Sequence, residues 1–212
     1  MLLLLKSPRL CTDLRAESAG IIAAIAQNNF DVQEEMFKMK TVQMLVGIYA
    51  QSLDEPAALR AKIIMATSCV VRTHPASEEL FVSQFGEMVF VNTVKTTDAV
   101  VLRRAVFLAK ALAGSDSTSP ERVRLLVKCF LPACLPFIAN ADDTDLREGT
   151  LMLLQTFCRS TEGLDCMQGH KDVVLSALDA RAGSTVAADA SLAEQEATEL
   201  ALVAAVRASL EP

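Results

Sequence analysis

The sequence predicts an all-α fold wound from repeated helical units, on the strength of three observations. The dipeptide Leu-Arg recurs at Leu14-Arg15, Leu59-Arg60, Leu102-Arg103 and Leu146-Arg147, at intervals of 45, 43 and 44 residues. Each pair opens a segment of helical character: LRAESAGIIAAIAQ, LRAKIIMATSCVVR, LRRAVFLAKALAGS and LREGTLMLLQTFCR. The 212-residue chain is 51% apolar but only 5% aromatic, with no Trp and one Tyr. Ala, Leu and Val dominate instead, and these residues let helices approach closely with little void. A period of roughly 40–47 residues is that of armadillo and HEAT arrays.

The text between the anchors divides the same way each time. A long helix near 14–28 is followed by a short one near 30–39 and a medium one near 40–52, before Asp54-Glu55-Pro56 interrupts the chain. Pro after acidic residues is a start signal for the next helix. The second unit has a long helix near 57–73, a break at His74-Pro75, a short helix near 76–85, Gly86, and a medium helix near 87–97. The third long helix, near 99–113, stops at Gly114-Ser115-Asp116-Ser117. Ser119-Pro120 caps the next short helix, and the fourth long helix lies near 145–160. One short, one medium and one long helix per unit is the armadillo pattern; HEAT units have two helices and fit second best. The expected architecture is therefore a right-handed armadillo solenoid over residues 1–212, with about four three-helix repeats. A small, polar loop over 181–191 leads to a capping helix over 192–210. Met88 to Val91 favours a strand by propensity alone, but the repeat frame places a helix there.

Composition narrows the function. A net charge of −6 argues against the basic face a nucleic-acid partner requires, and no polybasic patch marks a membrane surface. Leu2 to Leu5 is too short for a signal peptide or a membrane span, and the apolar run from Leu125 to Ala139 is broken by Lys128, Pro132 and Pro136. Most of the six cysteines (Cys11, Cys69, Cys129, Cys134, Cys158, Cys166) sit in apolar helical runs, which favours buried thiols in a reducing compartment, and the cytoplasm is the expected location.

With Leu59 as position zero, Leu59, Ile63, Ala66 and Val70 (offsets 0, 4, 7 and 11) form one helical stripe and must face the core. Offsets 3, 6, 10 and 13 form a second stripe: Lys62, Met65, Cys69 and Arg72. The third helix, aligned on Val101, gives Arg104, Phe107, Ala111 and Gly114. The first gives Glu17, Gly20, Ala24 and Gln27, and the fourth Gly149, Met152, Thr156 and Arg159. Stacking would line these up on the concave side, where solenoids bind partners. Lys62, Met65, Arg72, Arg104, Phe107 and Met152 are thus candidate partner-binding residues, although Met65, Phe107 and Met152 are equally at home in a core.

Residues 1–115 resemble a known family. Asp13-Leu14-Arg15, Ala19, Gln27-Asn28 and Val32-Gln33-Glu34 are similar to the first repeat of the cytosolic heat-shock-70-binding nucleotide exchange factors. Arg60, Lys62, the run Ser68 to Arg72, and Arg104 to Leu108 continue the similarity; from 116 onward only the helix layout agrees. The resemblance implies a four-repeat armadillo co-chaperone whose concave face wraps the chaperone's ATPase domain and promotes ADP release. It adds Arg15, Ser18 and Ala19 to the expected contact set, and places a basic contact at Arg104, where the family has lysine. On this reading Ala19→Arg abolishes partner binding and Arg104→Ala weakens it, both without disturbing helicity. A generic armadillo adaptor is the alternative, but offset 10 carries Ala24, Cys69, Ala111 and Thr156 rather than the asparagines of peptide-binding arrays.

No catalytic or cofactor motif is found. The eight glycines form no phosphate loop, no CxxC is present, and Cys129 and Cys134 have no histidine at ligand spacing. Asp142-Asp143-Thr144-Asp145 lacks the glycine and trailing glutamate of a calcium loop and reads as helix capping. No metal, no cofactor and no enzyme activity is expected. The family's sequences have a longer N-terminal part, and Leu2 to Leu14 resembles the end of a helix and the loop after it. The first long helix is accordingly expected to expose Ile21, Ile22 or Ile25 and to promote self-association through the N-terminal unit, or else to leave the first 13 residues poorly ordered.

Overall fold

A computed structural model describes residues 1–96, 98–138, 143–183 and 190–211, the side chains of 190–192 excepted. Every regular element among them is helical. The chain divides into two compact units, Met1–Ser117 and Thr118–Pro212.

The first unit contains α1 (Leu2–Lys6), α2 (Thr12–Ala26), α3 (Phe30–Lys38), α4 (Thr41–Gln51), α5 (Ala57–Val71), α6 (Pro75–Phe81), a π-helical turn at Val82–Gly86, α7 (Glu87–Lys95) and α8 (Ala99–Ala113). The long helices were expected at 14–28, 57–73 and 99–113, so each is found within two residues of its predicted ends. The Met88–Val91 segment is helical; position 97, the expected end of that helix, lies outside the described residues. Local chemistry sets the boundaries. Asn29 Oδ1 accepts from Val32 N at the start of α3, His74 Nδ1 from Ser77 N at α6, and Asp98 Oδ1 from Val100 N and Val101 N at α8. Pro75 occupies the first turn of α6, where its missing N–H costs nothing. Asn28, Lys40 and Thr73 adopt φ of 54°, 58° and 68°, turning the chain sharply between helices. For the β-branched Thr73 this is a strained conformation, anchored by its N–H donating to Glu78 Oε1.

Helix α5 lies against both α2 and α8. Its predicted core stripe, Leu59, Ile63, Ala66 and Val70, is wholly buried, as are Val101, Ala105, Leu108 and Leu112 on α8. Helix α2 departs from this pattern. Its buried residues are Arg15, Ser18, Ala19, Ile22, Ala23 and Ala26; of the four positions the frame assigns to the core only Ser18 is among them, whereas Leu14, Ile21 and Ile25 keep 43%, 46% and 48% of their surface exposed. Among the described residues α2 packs mainly on α5, with the five-residue α1 beside it contributing the buried Leu5.

The repeats are tied together by polar side chains that reach across units. Arg15 Nε donates to Leu5 O and Nη1 pairs with Glu55 at 2.6 Å. Arg60 Nε donates to Glu55 O. Gln33 Nε2 donates to Cys69 O and Arg72 O, satisfying carbonyls at the end of α5 that have no partner inside that helix. His74, nearly fully buried, bridges Glu34 at 2.9 Å through Nε2. This bond holds the Glu34 carboxyl below its ordinary pKa, with Lys38 adding to the effect.

The second unit holds α9 (Pro120–Ile138), α10 (Thr144–Cys158), α11 (Thr161–Gln168), α12 (Lys171–Gly183) and α13 (Ala190–Leu210). Here the repeat frame is only partly followed. The short helix expected after Ser119-Pro120 is a single 19-residue helix. Ser119 Oγ does accept from Arg122 N at its start. Pro132 and Pro136 lie inside it on the exposed side, where carbonyls left without an amide partner can face water. Helix α10 has a buried stripe at Leu146, Thr150, Leu153 and Phe157, offsets 0, 4, 7 and 11 as predicted, and Asp143 Oδ1 caps it by accepting from Leu146 N; Asp142 lies outside the described residues. The loop expected over 181–191 is narrower than predicted. Residues 181–183 remain helical and α13 begins at Ala190, while 184–189 lie outside the described residues. Arg181 holds that last turn because its guanidinium is buried on Glu199 of α13. Glu199, with no exposed surface, also accepts from Arg147 Nε at 2.6 Å and Nη2 at 2.9 Å. Val203, Val206 and Leu210 continue the buried face of α13.

Candidate functional site

In the first unit a groove of about 290 Å³ runs across α2, α5 and α8. Gly20, Ala23, Ala24 and Gln27 form its α2 side, Met65, Ser68, Cys69 and Arg72 its α5 side, and Arg104 and Phe107 its α8 side. Gly20, Ala24, Gln27, Met65, Cys69, Arg72, Arg104 and Phe107 all belong to the offset 3, 6, 10 and 13 stripe. The helical period that buries one face therefore delivers the other, in register, to a common cleft.

Phe107 stands 46% exposed. The Arg72 guanidinium carbon lies 4.7 Å from the centre of its ring, and Lys110 Nζ lies 5.7 Å away. Arg104 precedes Phe107 by one turn and is exposed. Lys62 is half-buried; its ammonium lies 3.6 Å from where a Cβ at Gly20 would be, so the missing side chain leaves room for it against α2. Among the described residues, no acidic side chain pairs with Lys62, Arg72 or Arg104. Two polar atoms in the groove wall lack hydrogen-bond partners: Ser68 Oγ and Arg72 Nε. Ser68 is 3% exposed. Offset counting missed Ser68 and Ala23, which fall between the stripes; only packing shows that the groove reaches them.

The remaining candidates fall elsewhere. Arg15, Ser18 and Ala19, expected at the contact surface, are buried, Ala19 completely. Arg15 is engaged by Leu5 and Glu55, and Ser18 Oγ donates to Leu14 O within its own helix. All three face inward, Ser18 at offset 4 of the core count and Arg15 and Ala19 one position after its offsets 0 and 4. Ala19→Arg is then an overpacked core rather than a blocked surface. Met152 is half-buried in the second unit. That unit has a roomier groove of about 510 Å³ between α9 and α12, lined by Leu131, Pro132, Leu135, Pro136, Val173 and Ala177 with His170 at its side. It offers apolar area without a Lys, Arg, Asp or Glu in its wall.

The six cysteines form no disulfide, and Cys69, Cys129 and Cys134 are buried. Burial pushes the Cys134 thiol up to about 12. Among the described residues, no cluster of His, Cys, Asp and Glu is suited to a metal ion, and no helix is long and apolar enough to cross a membrane.

No protein-family model matches the sequence, and no curated protein matches it. Solved structures do. A designed armadillo repeat protein in complex with the peptide (KR)4 superposes with a TM-score of 0.70 at 13% identity, over 99% of this chain and 84% of that one. The fold is an armadillo-repeat solenoid. An engineered protein matches with a TM-score of 0.63 at 14% identity over 95% of this chain and 96% of its own, and a second with 0.60 at 13% over 97% and 95%. At these identities the armadillo likeness concerns architecture alone.

Proposed function

We propose that this armadillo protein is a binding scaffold and that the groove across α2, α5 and α8 receives its partner. The observation that carries the reading is the convergence on one cleft of Arg72 and Arg104, without carboxylate partners, with half-exposed Phe107 and Met65, and with Lys62 beside them over Gly20. Exposed aromatic and arginine side chains in a concave, partly apolar setting are the usual anchors of protein interfaces. Such a scaffold needs no catalytic side chain.

The partner we infer is the ATPase domain of a cytoplasmic heat-shock-70 chaperone, whose ADP release the scaffold promotes. The similarity of residues 1–115 to the exchange factors supports this. The contact set is Lys62, Met65, Arg72, Arg104 and Phe107; Arg15, Ser18 and Ala19 act from beneath by fixing α2. The physics is linkage: a protein that binds the nucleotide-free domain more tightly than the ADP-bound one weakens ADP by the same factor, typically by about 1–3 kcal/mol. Stopped-flow release of a fluorescent ADP analogue tests it. Release is expected to accelerate with this protein and to do so less with Arg104→Ala; an unchanged rate with the native chain removes the chaperone from the account.

A second reading, an adaptor for an extended peptide, is favoured by the fold neighbour that carries (KR)4. The groove of this chain is lined by cations and has Ala24 and Cys69 at offset 10, which does not suit a basic peptide.

A further inference from the structure

We propose that the groove is an acidic-segment receptor: it takes a segment of a partner protein in which a carboxylate side chain stands next to an apolar one. The assignment rests on the groove being the partner site and specifies the chemistry it selects. Four observations lead to it. The whole chain carries a net charge of −6, yet the charged lining of this cleft is cationic. Arg72 and Arg104 line it, Lys62 stands over Gly20 beside it, and none of the three has a carboxylate partner among the described residues. Elsewhere the protein spends its arginines on its own carboxylates: Arg15 on Glu55, and Arg147 and Arg181 on Glu199. Unpaired cations of one sign repel one another, and an anion relieves that repulsion while accepting charge-assisted hydrogen bonds.

The buried hydroxyl of Ser68, without a hydrogen-bond partner at 3% exposure, lies in the same wall as the unpartnered Nε of Arg72. Both are donors, and a carboxylate is acceptor-only when ionised. The floor decides between a free anion and a segment of protein. Gly20, Ala23 and Ala24 present small apolar surface opposite Met65 and the exposed ring of Phe107. A phosphate or other small anion would leave that surface wet. A side chain next to the captured carboxylate would cover it. The Arg72 guanidinium already lies over the Phe107 ring at 4.7 Å, which restrains it and reduces the entropy lost on binding a carboxylate.

Fluorescence anisotropy with labelled (Glu-Leu)4 and (Lys-Arg)4 peptides on the full chain tests the assignment. The acidic peptide is expected to bind and the basic one not, with affinity falling as salt is raised. Arg104→Glu, at an exposed position, should retain the native circular dichroism and weaken (Glu-Leu)4 by at least about tenfold, or about 1.4 kcal/mol. Equal binding of the two peptides, an unaltered affinity in Arg104→Glu, or competition by inorganic phosphate as strong as by unlabelled peptide would each overturn it. The same variant in the ADP-release assay separates this proposal from the chaperone reading. Loss of (Glu-Leu)4 binding with ADP release still accelerated upholds the acidic-segment receptor and moves the chaperone off the groove. Loss of ADP release with (Glu-Leu)4 binding intact overturns the receptor alone.

Discussion

In the first unit, Arg15 reaches Glu55, a carboxylate that keeps 31% of its side chain in solvent. In the second, Glu199 is wholly enclosed and takes two guanidinium groups, from Arg147 on α10 and Arg181 on α12. Both arrangements start from a Leu-Arg pair at the head of a long helix, and their energetics differ. A partly hydrated pair loses little when one member goes, because water takes over the other. A fully buried one leaves charges that nothing can solvate.

The comparison predicts its own hierarchy of effects. Glu199→Ala takes the shared buried carboxylate from Arg147 and Arg181, leaving Arg181 the longer 3.7 Å pair with Glu196, and should cost the second unit about 3–5 kcal/mol. Hydrogen exchange should show α10, α12 and α13 losing protection while α2, α5 and α8 keep theirs. Replacing all three members together with apolar residues of similar volume should recover most of that loss, which would place the cost in the unpaired charges rather than in the packing. If Glu199→Ala leaves protection unchanged, the triad does not hold α13. Next comes Ala19→Arg, which forces a long cation into a site with no exposed surface. It should destabilise the first unit by about 3 kcal/mol or more in a urea titration, and a folded variant of native stability would return Ala19 to the surface. Arg15→Ala removes a half-solvated pair and one bond to Leu5 O, and about 1–2 kcal/mol is expected from the same measurement.

The smallest effect concerns Cys134. Its folded pKa, about 12, stands above the ordinary thiol value of 9.0 because burial disfavours the thiolate. The unfolded thiol ionises first, so stability is intact below the ordinary value and falls as pH rises from there toward the folded one. Alkylation mapped by mass spectrometry at mildly alkaline pH should modify exposed Cys11 and spare Cys134. Early modification of Cys134 would mean that its helix opens readily.

Much of this was legible in the sequence, and the reason is periodicity. The offset 0, 4, 7 and 11 residues of α5, α8 and α10 are buried because each helix repeats every 3.6 residues and its core face is apolar. The groove residues followed from the same count. Only the core face of the first helix departs from the count: Arg15, Ala19, Ile22 and Ala26 are buried while Leu14, Ile21 and Ile25 stay outside. Light scattering tests the expected self-association of the N-terminal unit: the mass is expected to rise with concentration, and a constant monomer mass removes it. Partnerships across long sequence distance were not legible. Nothing local to Arg147 points to Glu199, 52 residues away, and nothing in Gln33 or Glu34 announces a bond to the end of α5 or to His74. The letters that resemble the exchange factors, Arg15, Gln33 and Glu34, are the ones the structure uses as ties between repeats. A motif built from such residues reports how units are joined before it reports what they bind.

The internal use of the Leu-Arg arginines has a consequence for how this sequence can change over time. Charged positions are commonly the freest to drift, but here Arg15, Arg60 and Arg147 are fixed by the fold, and each change at them has to be answered elsewhere in the chain. Arg72, Arg104 and Lys62 answer to no carboxylate among the described residues, although Arg72 lies over the Phe107 ring. Selection for folding alone would hold the first group and release the second, so a lineage of such proteins could exchange one partner for another by rewriting three cations while its architecture stayed intact.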